Sequence, residues 1–349
     1  MNQLATFCKD LKQSFHPKKR NLSKPVSCWS EKDVLNEKTI DAFVIIFYTR
    51  GCSWALKSGC SMCGYFNDSA WKKITETELL NQFQQALDQY NSEPLVKIFT
   101  SGSFLDDTEI SKKIQYELID RLSVHTKKIS VESRPEYVTE QKLDDIQNHL
   151  QKGSFEVGIG LETANDHIRK HCINKGFSFS DYQTAADQLK NHDFSLKTYV
   201  LVKPPFLTEK QAINDSIHTI DTVAEKTDLI SLNPTNVQRH TMVEYLWKRQ
   251  QYRPAWLWSV IEILKTCKEN HPHLRLQCDV AGGGKPRGAH NCKQCDHDFL
   301  NAIKNFSLTQ QIDEFSHLEC DCKEQWLDQL ELEPLSLGAI IDTQRWKIL

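Results

Sequence analysis

Short runs of apolar and β-branched residues recur along the chain, separated by longer stretches whose apolar positions repeat at helical spacing. The runs fall at 43–48, 95–100, 128–132, 155–161, 196–202 and 229–233. Their length and the turn residues that bound them predict buried strands. Between them, Thr75-Glu-Thr-Glu78 reads as a capping box. It precedes Leu79, Leu80, Phe83, Ala86, Leu87 and Tyr90 on one helical face. Thr139 caps a segment with Leu143, Ile146 and Leu150, and Thr208 precedes Ala212, Ile213, Ile217, Ile220 and Val223. Residues 256–267 form a further helix, with Trp258, Ile261 and Leu264 on one face.

Strands alternating with helices predict a parallel α/β sheet. Six such units are too few for a closed eight-fold barrel, so the expected fold is an open, partial (βα)6 TIM-like barrel. In such sheets the chemistry sits at the carboxyl ends of the strands. From about Leu274 the alternation stops, and Gly282-Gly-Gly284 and a group of cysteines follow. The predicted organisation is an N-terminal extension over 1–40, the barrel over 41–271, and a small C-terminal metal-binding module with a tail over 272–349.

A chain of 349 residues has room for one large α/β domain and a small appendage. Charged residues are 26% and hydrophobic ones 39%, a globular balance rather than a disordered one. No apolar run approaches the roughly 18 residues that span a bilayer. The start, Met1-Asn-Gln-Leu-Ala-Thr-Phe-Cys8, has no continuous apolar core for secretion. These features predict a cytoplasmic protein with no membrane association. The formal net charge of −3 means that a nucleic-acid partner would have to use a local basic patch. The stretch at 16–20 and Lys285-Pro-Arg287 with His290 are the two candidates.

Twelve cysteines without a secretory signal point to metal ligation rather than disulfides. Cys52, Cys60 and Cys63 share one glycine-flanked loop after the first apolar run, spaced CxxxxxxxCxxC. Soft thiolates select Fe–S clusters or zinc over harder metals. Three thiolates on one loop can hold three irons of a 4Fe–4S cluster and leave the fourth open. That arrangement binds and reductively cleaves S-adenosyl-L-methionine (SAM). A three-thiolate zinc site is the alternative, because CxxC is also a zinc half-site. The second group, Cys292, Cys295, Cys320 and Cys322, pairs CxxC with CxC and suits a four-thiolate Zn2+. Cys278 and His290 are its reserve ligands, and an auxiliary Fe–S cluster is the rival occupant. Cys8, Cys28 and Cys172 read as ordinary thiols.

The expected strand ends carry the other candidates. After the second strand, Gly102 permits a tight turn or a close approach to SAM, with Ser103 beside it. After the third, Glu132 can accept from ribose hydroxyls, and Arg134 offers a fork to the methionine carboxylate. Gly158 and Gly160 leave one face of the fourth strand bare, so that an adenine ring can pack there, and Glu162 adds a polar contact. Each has a plainer reading, as strand–helix loop, rim ion pair or bulge. Lys203, Asn233 and Asn236 would face the same mouth as substrate contacts, with Lys285 and Arg287 for phosphates.

With these motifs in place, the chain resembles the radical SAM superfamily. Within it, it is similar to the radical subunit of archaeosine synthase and its bacterial relatives, which share an Elongator-catalytic-subunit-like core. The distinctive stretches are Ser101-Gly-Ser-Phe-Leu-Asp106, Glu132-Ser-Arg-Pro135, Lys203-Pro-Pro-Phe206, Ser231-Leu-Asn-Pro-Thr-Asn-Val-Gln238 and His290-Asn-Cys-Lys-Gln-Cys-Asp296. The first cysteine spacing departs from the superfamily's common CxxxCxxC, as it does in this subgroup, and no ligand is lost. The resemblance implies that the cluster reduces SAM to methionine and a 5′-deoxyadenosyl radical. The radical then acts on a lysine-derived side chain carried by a 7-deazaguanine in tRNA, and C–N cleavage leaves archaeosine. It also implies a lysine-transferring partner protein and an electron donor such as ferredoxin or flavodoxin. A radical SAM enzyme for another tRNA base or a small molecule, or a methylthiotransferase-like enzyme with an auxiliary cluster, is the alternative.

Overall fold

The computed structural model describes residues 3–13, 15 and 20–335; the basic stretch at 16–19 and the tail at 336–349 lie outside them. A single sheet runs in chain order through eight strands. They are β1 (Ser27–Leu35), β2 (Lys38–Ile46), β3 (Leu95–Phe99), β4 (Lys128–Ser133), β5 (Ser154–Glu162), β6 (Ser195–Val202), β7 (Leu229–Pro234) and β8 (Arg275–Cys278). β2 to β8 are parallel, and β1 pairs antiparallel with β2. The sheet curls into a half-barrel, as the alternation of apolar runs and helical stretches predicts.

The helices are α1 (Gln3–Gln13), α2 (Ser53–Lys57), α3 (Glu76–Leu87), α4 (Lys112–Ser123), α5 (Glu140–His149), α6 (Asp166–Ile168), α7 (Phe179–Asn191), α8 (Glu209–Val223), α9 (Met242–Lys248), α10 (Leu257–Asn270), α11 (Asp296–Thr309) and α12 (Cys322–Leu332). Thr75 forms the expected capping box with Glu78, and Thr208 forms one with Gln211. Thr139 accepts from the Lys142 amide at the start of α5. Among the described residues, no helix is long and apolar enough to cross a membrane.

Two strands lie outside the six that the apolar pattern predicts. β1 falls inside the expected N-terminal extension. It turns into β2 through Asn36 and Glu37, with φ of 49° and 61°, the left-handed pair that suits the twist of a two-residue hairpin. β8 lies beyond position 272 and joins the sheet beside β7. Phe299, Phe306, Cys322 and Trp326 belong to the same core as Phe43, Ile98, Val157 and Leu232. The C-terminal segment is therefore packed onto the barrel and shares its core.

Strand side chains alternate between the helices and the barrel lumen. On β6, Thr198 faces the helices, because its hydroxyl meets Tyr182 of α7 at 2.7 Å. Lys197 and Tyr199 therefore face the lumen. Their neighbours there are ion pairs: Lys97 with Glu31 at 2.8 Å and with Asp33, Lys128 with Glu156 at 2.5 Å, and Arg275 with Asp33 at 3.2 Å. These pairs floor the barrel and leave the mouth at the carboxyl ends of the strands.

Candidate active site at the carboxyl ends of the strands

The first cysteine loop follows β2. Cys52 is the N-cap of α2, and Gly51 and Gly59 bracket that helix with φ of +93° and +83°. The loop is tied down by groups distant in sequence. Asn174, left-handed at φ 58°, donates to Ser58 Oγ at 2.8 Å and to the Gly59 carbonyl at 2.7 Å. Trp54 Nε1 donates to the Asn174 carbonyl at 2.8 Å, and the Gly64 amide donates to Gln238 at 2.5 Å. Lys12 of α1 is 6% exposed; its ammonium donates to the Ser58 carbonyl at 2.9 Å and sits 4.8 Å from the Phe66 ring centre. Burial raises the Cys52 thiol, against the opposing charge of Arg134, and pushes Cys63 up to about 12. Such thiols ionise readily only on a metal, which would displace their protons.

Gly102 packs against this loop. A Cβ there would stand 2.6 Å from Cys52 Cα and 2.1 Å from Glu109 Oε2, so the close approach is to the chain itself. Ser103 is buried; its hydroxyl accepts from the Arg134 amide at 3.1 Å, and its amide donates to Glu109 at 2.6 Å. Glu109 also accepts from Thr49 at 2.5 Å, and burial pushes its carboxyl up to about 7. These bonds lock the β2, β3 and β4 loops together.

Arg134 is 7% exposed beside Cys52 and Cys60. Its Nε bonds Glu136 at 2.6 Å and its Nη1 the Lys175 carbonyl at 2.9 Å, with the guanidinium 5.5 Å from the Trp54 ring. Glu132 faces the lumen and accepts a hydrogen bond from Tyr199; burial raises its carboxyl above the usual range. The bare face of β5 is filled by the chain's own residues. A Cβ at Gly158 would stand 2.8 Å from the Tyr199 ring, and one at Gly160 would stand 2.7 Å from Lys175 Nζ. Glu162 holds that lysine at 2.5 Å, from a left-handed backbone at φ 69° where the β5–β6 register shifts. That strained turn at the strand end aims Glu162 at its partner.

The expected substrate contacts divide. Lys203 is buried, and its ammonium is turned inward onto Glu209 at 2.6 Å, away from the mouth. Asn233 is half-buried and accepts from Ser231 at 3.2 Å, while Asn236 lies against Gly282. Arg287 is committed to Glu244 at 2.5 Å, to the Val237 carbonyl at 2.9 Å and to the Trp247 face, whereas Lys285 is exposed.

In the second group, the sulfurs of Cys292, Cys295, Cys320 and Cys322 all lie within 4.8 Å of one another. Cys292 is 3.8 Å from Cys295 and 3.5 Å from Cys320, and Cys295 is 3.7 Å from Cys322. A tetrahedral ion with bonds of ~2.3 Å requires sulfur–sulfur edges of about 3.8 Å. Asn291 donates to Cys295 and Trp258 Nε1 to Cys322, each at 3.4 Å. Burial opposes ionisation of Cys292, yet the amides of Cys295 and Gln294 bring it down to about 7. Cys278 and His290 stand outside the quartet; His290 Nδ1 bonds the Gly288 carbonyl instead. Cys52, Cys60 and Cys63 do not form such a group.

The pattern that defines the radical SAM superfamily matches residues 46–215. Over 336 residues the chain is 40% identical to archaeosine synthase subunit beta of Methanosarcina acetivorans, covering 95% of this chain and 97% of that one. The chain belongs to the radical SAM superfamily, in the family of archaeosine synthase subunit beta. It is also 35% identical over 306 residues to archaeosine synthase subunit beta of Thermococcus kodakarensis, covering 85% of this chain and 94% of that one. Among solved structures, Elp3 of Methanocaldococcus infernus aligns with 69% of this chain and 58% of that chain, at 16% identity and a TM-score of 0.46.

Sequence patterning does not single out Lys12, Glu109, Lys175 or Tyr199 of this radical SAM chain. Each acts across a long sequence separation, and only the register of β4, β5 and β6 brings Tyr199 against Gly158 and Glu132. Gln238 is the exception. It lies within the Ser231–Gln238 motif, and its side chain accepts from the amide next to Cys63.

Proposed function

We propose that this radical SAM enzyme carries a 4Fe–4S cluster on Cys52, Cys60 and Cys63 and cleaves a C–N bond in a lysine-bearing 7-deazaguanine of tRNA, yielding archaeosine. The carrying observation is the three-thiol loop at the barrel mouth, in a chain alike over nearly its whole length to archaeosine synthase subunit beta. When bound, the cluster supplies the electron that cleaves SAM. Glu132 accepts from the ribose hydroxyls, and Arg134 holds the methionine carboxylate beside Cys52. Lys12, Asn174 and Gln238 fix the loop so that the thiols keep their spacing. Zn2+ on Cys292, Cys295, Cys320 and Cys322 would clamp the start of α11 to the start of α12, with Trp258 of α10 bonded to Cys322. A partner protein that attaches lysine to the base precedes this step, and a ferredoxin or flavodoxin supplies electrons. Among the described residues Arg287 is engaged with Glu244, and that partner would add basic surface for the tRNA.

The test incubates reconstituted, reduced enzyme and SAM with tRNA carrying the lysine adduct, at low salt and with the partner present. Digestion and mass spectrometry should reveal archaeosine together with 5′-deoxyadenosine. If 5′-deoxyadenosine forms while the nucleoside stays unchanged, the substrate assignment fails and the radical chemistry stands.

A further inference from the structure

Lys197 is the lumen cation that the fold does not use. It is 6% exposed and lies on β6 between Gly158 of β5 and Leu229 of β7. Its ammonium stands 4.8 Å from the Tyr199 ring centre. Lys97, Lys128 and Arg275 each have a carboxylate partner, whereas Lys197 makes no hydrogen bond or ion pair among the described residues. Asp33, Glu132 and Glu156 lie around it, together with the like charge of Lys97; burial and that neighbour lower its pKa. A buried ammonium with only a ring face beside it and no carboxylate bonded to it weakens a fold, so its placement calls for an anion that arrives from outside.

We propose that Lys197 binds the α-carboxylate of the substrate's amino-acid side chain inside the barrel. The class of anion follows from depth. Tyr199, at the level of the ammonium, lies three residues below the last residue of β6, roughly 10 Å at a strand's rise per residue. A tRNA phosphate cannot descend that far into a lumen floored by ion pairs. A slender, unbranched chain attached to a base at the mouth can, and a carboxylate at its tip meets Lys197. The Tyr199 ring beside Gly158 and the Glu132 carboxyl, which accepts from the Tyr199 hydroxyl, form the wall along which that chain passes. Lys197 is thus a specificity residue, distinct from Arg134, which serves the methionine of SAM at the rim.

This inference rests on the proposed tRNA substrate, and the experiment separates the two. Reconstituted wild-type, Lys197→Met and Lys197→Arg enzymes are each given tRNA bearing lysine on the deazaguanine. They are also given the same tRNA bearing cadaverine, which keeps the chain and lacks the carboxylate. The wild type should prefer the lysine adduct in kcat/KM by about tenfold or more, the scale of one charge-assisted hydrogen bond. Lys197→Met should treat both adducts as the wild type treats cadaverine, mainly through KM, with unchanged SAM affinity and a melting temperature no lower than that of the wild type. Lys197→Arg should restore part of the preference. A Lys197→Met enzyme that still discriminates overturns the role of Lys197 alone. A wild type that makes 5′-deoxyadenosine and converts neither adduct overturns the substrate reading and, with it, this one.

Discussion

Replacing Gly59 by alanine should drive Lys12 off the cysteine loop. A Cβ at Gly59 would stand 1.4 Å from Lys12 Nζ, and the residue has φ +83°. An alanine in that left-handed backbone costs ~1–2 kcal/mol. Expelling Lys12 removes its bond to the Ser58 carbonyl, a charge-assisted hydrogen bond that contributes ~1.5–3 kcal/mol. Gly59→Ala should therefore cost about 2.5–5 kcal/mol, and Lys12→Ala about 1.5–3 kcal/mol. In the double variant no ammonium remains to clash, so the second substitution adds almost nothing. The cycle should return a coupling of about 1.5–3 kcal/mol, the part counted twice in the single variants. Equilibrium unfolding in urea, under reductant and with zinc present, measures it. Iron retained after reconstitution is a second readout, because the same contact positions the segment before Cys60. Additive effects of the two substitutions would refute the reasoning.

Three further outcomes are expected. Cys320→Ser or Cys322→Ser should remove the zinc, about one per chain by elemental analysis, and change the emission of Trp258, which bonds Cys322; iron at the quartet instead would move it to an auxiliary cluster. Glu132→Gln should weaken SAM binding about tenfold by calorimetry, and unchanged affinity would remove Glu132 from the ribose. Glu109 holds its proton in the folded state up to about 7, against an unfolded value of ~4.3. The folded state thus binds the extra proton inside that window, so this group's contribution to stability is full below it, falls as pH rises through it by about 3–4 kcal/mol, and is flat above it. Glu109→Gln should abolish that slope, and equal slopes in both proteins would exclude Glu109 as its source.

The six apolar runs mark six strands, because a strand buried on both faces is written in apolar residues. β1 escapes that signal. Its lumen-facing positions are Trp29, Glu31 and Asp33, and the two acids pair with Lys97 and Arg275 on distant strands. Its hairpin turn is Asn-Glu rather than the usual Asn-Gly. β8 is too short, at four residues, to leave a period. The second cysteine group was legible because its CxxC and CxC pairs recur at short spacing, and its four sulfurs converge. Lys203 was not, since a left-handed residue at φ 56° ends the strand and turns the ammonium toward Glu209.

The strand glycines carry the more general point about reading a site. Gly158 and Gly160 suggest bare backbone awaiting a ligand, and the same absence of Cβ is what the chain's own Tyr199 and Lys175 require. Substituting either glycine would displace a side chain before it touched any cofactor. In each case the displaced side chain is held by a carboxylate at the mouth: Tyr199 by Glu132, and Lys175 by Glu162. The glycines thus act on the site at one remove, by letting an aromatic wall and a cation stand where they orient the two acids. Sequence alone picks out the acids and the glycines as candidates. The residues that couple them come from β6 and from the turn after α6, and only the curl of the sheet brings those two segments to the same side of β5.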